Sequence, residues 1–266
     1  MNMLEQIVEH KRQELHAKKK KFKISDFRSM ELFGRQSISL HQSILDHPAI
    51  GIIGEIKRSS PSAGNIRNDF EPELIAKQYG AGGAAGISIL TDNKYFSGSV
   101  DDLKSVRGIS ELPLLQKDFI IDEYQLFEAK ASGADAVLLI ASIHDRSELL
   151  ELYLAASELG LESLVEIHDS PEIDRLDLDM MKLVGVNNRD LKTMKIDLNN
   201  SITISRHLPK STTTVSESGI RISADLRRLK EAGFKAALIG EHLMKAEHPG
   251  DALKELLDGL KNETVC

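Results

Sequence analysis

The chain has 266 residues, 41% of them hydrophobic and 28% charged, with a formal net charge of -7. Such a composition suits one soluble globular domain and excludes the disordered, collagen-like and disulfide-stapled classes. The acidic balance argues against a general nucleic-acid grip, the lone cysteine at the last position, Cys266, excludes an internal disulfide, and no leader or long apolar run points to a membrane, so a cytoplasmic protein is expected.

Residues 1–49 precede the first apolar run. Leu4, Ile7, Val8 and Leu15 fall on one side of a helix, which ends in the basic cluster Lys18, Lys19, Lys20, Lys21 and Lys23, read as a solvated face. This stretch is an added N-terminal helical extension, and docking over either end of a sheet would bury its apolar side. From residue 50 the sequence repeats a helical stretch, a Gly-containing turn and a short apolar run ending in polar residues. The turns are clearest at Gly80–Gly86, Ala131–Asp135 and Ala232–Lys235, where a glycine closes the preceding helix. Candidate strands lie near 50–57, 86–90, 113–118, 136–141, 162–167, 183–187, 213–217 and 236–240. Eight continuously apolar strands alternating with helices predict an α/β fold, a (β/α)8 TIM barrel over 50–266 with the extension at 1–49, in a single domain. An open doubly wound sheet is the alternative.

Active sites of such barrels lie at the carboxyl ends of the strands, and these ends are rich in ionisable groups: Glu55 and Lys57, Lys117 with Asp118, Glu166, Asn187 with Arg189, and Glu217. Glu55 and Lys57, two residues apart in a strand, face the same side. Burying such groups singly costs several kcal/mol each, so their convergence needs mutual pairing or a charged ligand; a ring of salt bridges capping the strands is the bland reading. Glu217-Ser218-Gly219 after strand seven and Gly240-Glu241 after strand eight, before a short extra helix, suit an anion held on backbone N–H groups; ordinary glycine turns are the alternative.

The glycines from Gly80 to Gly86 follow a helix and precede a strand, the reverse of a dinucleotide fingerprint. The nine histidines show no metal-ligand spacing, no Gly-x-Ser-x-Gly elbow occurs, and nothing calls for a metal or a cofactor.

Glu55-Ile-Lys-Arg-Ser-Ser-Pro-Ser-Ala-Gly64 resembles the segment after the first strand of indole-3-glycerol-phosphate synthases, enzymes of tryptophan biosynthesis. Ser88–Asp92 with Tyr95–Ser99, Pro113–Ile120, Leu164–His168, Gly185–Leu191, Ser216–Ile220 and Ile239-Gly240 resemble the family's other strand ends in order, and Leu4–Arg12 its opening helix. Ala63 departs from a basic residue, and His242 from a small one, common at those places. The resemblance implies ring closure of 1-(2-carboxyphenylamino)-1-deoxyribulose 5-phosphate with loss of carbon dioxide and water. It implies Lys117 as general acid on the ribulose carbonyl and Glu166 as base or proton relay. Lys57 and Arg189 would lie near the departing carboxylate, and Glu55 and Asn187 would orient them. Ser60, Ser218, Gly219 and Gly240 would hold phosphate, with Glu217 and Glu241 beside the substrate and Phe96, Phe119 and Leu191 walling its ring. The expected partner is a small phosphorylated substrate, bound by a monomer or weak homo-oligomer. The rivals are a Schiff-base aldolase of a sugar phosphate and a sugar-phosphate-binding protein without chemistry.

Overall fold

The structure, a computed structural model, describes residues 3–190 and 193–261. Eight parallel strands close into a barrel in chain order: β1 (Gly51–Ile56), β2 (Gly86–Leu90), β3 (Leu114–Lys117), β4 (Ala136–Ile140), β5 (Glu162–Ile167), β6 (Leu183–Asn187), β7 (Thr213–Glu217) and β8 (Ala236–Ile239). The closing pair sets Gly51 opposite Ala236, and β1 meets β2 with Ile53 opposite Gly86, which excludes the open sheet. Every strand end lies within one residue of its expected place.

Strand side chains alternate between two layers. The outward set, including Ile52, Ile56, Ile87, Val165 and Ile167, packs under the surrounding helices. The inward set of Ile53, Leu115, Leu138, Leu164, Val215 and Leu238 fills the barrel. The same inward register, continued toward the carboxyl ends, carries Glu55, Lys117, Glu166, Asn187 and Glu217. Alternation therefore stacks a charged layer directly on an apolar one.

The extension is more than the one helix expected. It comprises α1 (Met3–Lys21), α2 (Ile24–Arg28), a 3-10 turn (Glu31–Gly34) and α3 (Leu40–Leu45), and it covers both ends of the barrel. At the amino end, Leu40 and Ile44 of α3 plug the inner apolar layer. The Ser39 hydroxyl and the His41 N–H donate to Glu162, the first residue of β5, and the His41 ring meets the Thr213 hydroxyl at 2.8 Å. Asp135, fully buried before β4, pairs with Arg35 and Arg107 and accepts the N–H groups of Ile38 and Leu114.

At the carboxyl end, α1 inserts Lys11, only 2% exposed. Its Nζ lies 3.0 Å from Glu14, 3.0 Å from Asp92 and 2.9 Å from Asp118. Burial opposes the ammonium charge, but Asp118, Asp92 and Glu14 outweigh it and hold Lys11 well above the usual lysine range. The lysine run is the solvated face expected at Lys20, Lys21 and Lys23, which are exposed, but not at its start. Lys18 sits 3.1 Å from both Glu14 and Glu128, and Lys19 2.6 Å from Asp122, because the helix Glu123–Ala131 turns acidic groups toward α1. Among the described residues, no helix is long and apolar enough to cross a membrane.

Replacing Lys11 by Met strands two buried carboxylates at the barrel rim. Urea denaturation of Lys11→Met is expected to show a loss of about 3–5 kcal/mol; a loss below about 1 kcal/mol would contradict the pairing.

Candidate active site

One cavity of about 410 Å³ opens at the carboxyl ends of the strands, within the size range of sites for small organic ligands. Its deepest polar layer is the inward register. Glu55 from β1 pairs with Lys57, and Lys117 from β3 pairs with Glu217 from β7, lies 3.5 Å from Glu166 of β5 and 4.0 Å from Glu55. Three carboxylates thus converge on two ammonium groups in a region nearly closed to water, where the glutamates are at most 5% exposed.

The charge on Lys117 follows from this arrangement. Burial disfavours its charge, yet Glu217, Glu166 and Glu55 outweigh burial, so Lys117 is held as an ammonium above the ordinary lysine range. Burial pushes Glu55 up as well, but Lys57 and Lys117 hold it below the usual carboxylate range. Glu166 and Glu217 are driven apart. Glu166 has Lys117 on one side and His168 on the other, which overcome burial and keep it ionised. Glu217 is pushed up by burial and by the Glu166 charge, against the pull of Lys117. Of the two, Glu217 is therefore the carboxylate more disposed to hold a proton.

Two glycines make room for these carboxylates. A Cβ at Gly185 of β6, on the inward register, would collide with Glu217 Oε1, and a Cβ at Gly240 would collide with Glu55 Oε2. Neither position needs glycine for its backbone conformation; the space belongs to the acids on neighbouring strands.

The rim is built by loops. Ser218 and Gly219 adopt left-handed conformations in succession, with φ of 69° and 86°. Asn188, buried beneath them, donates to the carbonyls of Glu217 and Ser218 and fixes the turn. Gly240 leads into the short helix Glu241–Lys245. Ser60 closes the same side from a small hairpin pairing Ser59-Ser60 with Gly64-Asn65, and its hydroxyl accepts the Ala63 N–H. Arg189 follows β6, where the Asn187 side chain accepts its N–H at 3.0 Å, and its guanidinium faces Glu241 at 4.0 Å. Across the mouth, Phe96 and Phe119 stand with ring centroids 6.1 Å apart, tilted by 34°.

Every site residue expected from the sequence lines this one cavity, except Leu191, which lies outside the described residues. Glu217 lies with the charged layer around Lys117, beneath the turn that carries Ser218 and Gly219. Sequence reasoning missed four contributors. Leu4 and Ile7 of α1 line the cavity, although they were assigned only to the apolar side of a helix. Lys11 lies on that same stripe, four residues from both Ile7 and Leu15, and a lysine inside an apolar stripe was the available signal. His168, with Nε2 3.2 Å from Glu166 Oε1, shares the inward register two residues on.

Together these features define a (β/α)8 barrel with an acid–base cluster, an anion-compatible rim and an aromatic wall at the carboxyl ends of its strands. A family model for indole-3-glycerol phosphate synthase matches residues 4–256, and the chain belongs to that family. An indole-3-glycerol phosphate synthase of Salinibacter ruber is 43% identical over 96% of this chain and 95% of its own. One of Desulfotalea psychrophila is 49% identical over 81% and 83% respectively. A thiamine phosphate pyrophosphorylase structure from Pyrococcus furiosus superposes with a TM-score of 0.59 at 16% identity, covering 80% of this chain and 96% of its own, a likeness of fold alone.

Adding a methyl group at Gly185 displaces Glu217 and meets the apolar core only at Leu164, in ordinary van der Waals contact at 3.4 Å. Gly185→Ala is expected to stay folded and to lose about 10²-fold in turnover, the scale of an ångström-level misplacement. Steady-state kinetics beside a circular dichroism spectrum check this, and a variant as active as the parent would contradict the role given to the cluster.

Proposed function

We propose that this chain catalyses ring closure of 1-(2-carboxyphenylamino)-1-deoxyribulose 5-phosphate to indole-3-glycerol phosphate, releasing carbon dioxide and water, and that the extension and barrel work as one unit. The observation that carries the reading is the meeting of Lys117 with Glu55, Glu166 and Glu217 at the floor of a cavity whose wall is Phe96 and Phe119. Family membership supports the same reaction.

In this reading the phosphate lies against Ser60 and the backbone of Ser218, Gly219 and Gly240, the left-handed turn at Ser218 and Gly219 presenting N–H groups to an anion. The aromatic ring lies between Phe96, Phe119 and the apolar side chains of α1, and its carboxylate meets Lys57 and Arg189. Glu241 sets the Arg189 guanidinium, and Asn187 holds the backbone from which it projects.

Lys117 gives its proton to the ribulose carbonyl oxygen as the ring carbon bearing the carboxylate attacks the carbonyl carbon. One carbon–carbon bond forms, and the oxygen becomes a hydroxyl. Loss of carbon dioxide then returns its bonding pair to the ring. Departure of the hydroxyl as water needs a proton delivered to it and one removed from the neighbouring atoms; Glu166, ionised and beside Lys117, serves as acceptor and relay. A proton held by Glu217 lies next to Lys117 and replaces the one it has given. Lys117 acts here as a charged donor, since its carboxylate neighbours keep it protonated until the substrate oxygen takes its hydrogen bond.

The chain contains no tryptophan, so newly formed indole fluorescence rises over a dark background. Lys117→Ala is expected to bind substrate and to lose about 10²–10⁴-fold in turnover. Flat emission from the parent enzyme with authentic substrate would reject the assignment. A borohydride-trapped sugar-phosphate adduct on Lys57 or Lys117 would favour a Schiff-base aldolase instead.

A further inference from the structure

His168 is an ionisable side chain against the charged layer that does not line the cavity. It follows β5 and continues the inward register of Glu166, but its ring is turned behind that carboxylate. Nε2 stands 3.2 Å from Glu166 Oε1 and Nδ1 3.6 Å from Glu172 Oε2, and the side chain is 10% exposed. Its backbone is held as firmly: its N–H donates to Glu172 at 2.7 Å, and its carbonyl accepts from Asn200, whose amide also bonds the Asn187 carbonyl.

We propose that His168 is a positioning residue for the ring-closure reaction: an imidazolium wedged between Glu166 and Glu172, it keeps Glu166 ionised and turned toward Lys117. The inference rests on the function proposed above.

The charges around the ring decide its state. From its own strand it faces Glu166, with Lys117 and Glu217 beyond. From the 3-10 turn at Ser170–Arg175 it faces Glu172, while Arg175 of that turn is taken up by the carbonyls of Ala141 and His144. The helix Asn199–Ser205 presents the uncharged amide of Asn200. Burial disfavours the imidazolium, but Glu166 and Glu172 outweigh it and push His168 up to about 10. The ring is therefore a cation across the neutral range. It supplies one side of the field that keeps Glu166 from binding a proton; Lys117 supplies the other. While Lys117 is without the proton it gives to substrate, His168 is the cation that remains beside Glu166, at the moment a base is needed.

Without the cation, Glu166 binds a proton at higher pH, so the acid limb of the kcat/KM profile moves upward, by about 1–3 units for an opposite charge at this range. Gln in place of His keeps an N–H donor but no charge. His168→Gln and His168→Ala are both expected to show the shifted limb, with KM near pH 8 changed less than about twofold because the ring does not reach the cavity. Only His168→Ala should also lose kcat on the alkaline plateau, since it leaves no side chain packed behind Glu166 to orient it. A profile for His168→Gln that superimposes on the parent's would overturn the proposal, as would a loss confined to KM. Nitrogen-15 NMR of the unmodified protein provides a test that needs no variant. The His168 ring is expected to carry both protons at pH 8, and a neutral ring there would reject the proposal. If the parent itself fails to form indole, the function fails; if the parent is active and the profile does not move, this inference alone fails.

Discussion

Three buried carboxylates and two ammonium groups on inward strand positions form the constraint around which the rest of this molecule is arranged. An ion taken from water into such a place costs several kcal/mol, so none of the five is tolerable alone. They persist because they come from four strands of the barrel and reach one point: Glu55 and Lys57 from β1, Lys117 from β3, Glu166 from β5, Glu217 from β7. The excess of acid over base falls on Glu217, the carboxylate that burial and the Glu166 charge push up.

The supporting structure is fitted to this layer. Gly185 and Gly240 leave space where neighbouring acids project, and Tyr79 lies over the small outward residue Gly54 while its hydroxyl donates to the Glu55 carbonyl at 3.1 Å. Lys11 ties α1 to both rim segments that frame the aromatic wall. Asp118 adjoins Lys117 and Phe119, and Asp92 caps the turn leading to Phe96 by accepting the Tyr95 N–H. The extension therefore covers the site and also sets the strand ends that carry it.

Most of the fold was legible in the sequence because its signal is local. Continuous apolar runs of four to six residues, separated by glycine-closed helices, specify buried parallel strands, and Gly133 and Gly233, with φ of 87° and 95°, stand where the turns were read. The candidate site was legible because the barrel obliges inward strand ends to share a rim, so the parity of Glu55, Lys117, Glu166, Asn187 and Glu217 is enough to gather them. What the sequence withheld depends on partners far apart in the chain. Lys11 meets Asp118, Lys18 meets Glu128, and Ser39 meets Glu162; none of these pairs is local enough for periodicity to join them. Lys18 and Lys19 consequently read as solvated when they are partly a seam. The purpose of Gly185 was hidden for the same reason, since its smallness answers a side chain on another strand.

Barrel and site separate cleanly in this protein. The likeness at 16% identity to a thiamine phosphate pyrophosphorylase shows this fold kept by a very different sequence. An apolar inner layer of Ile53, Leu115, Leu138, Leu164, Val215 and Leu238 closes the barrel by volume alone, and hydrophobic residues of similar size could replace one another there at modest cost. One step farther along the same inward register the demand changes from volume to charge balance. Substituting Glu166 alone leaves His168 facing only Glu172, and substituting Lys117 alone leaves three acids facing one ammonium. Charge balance in this chain is therefore set in a layer one side chain thick, stacked on an apolar frame that is set by volume.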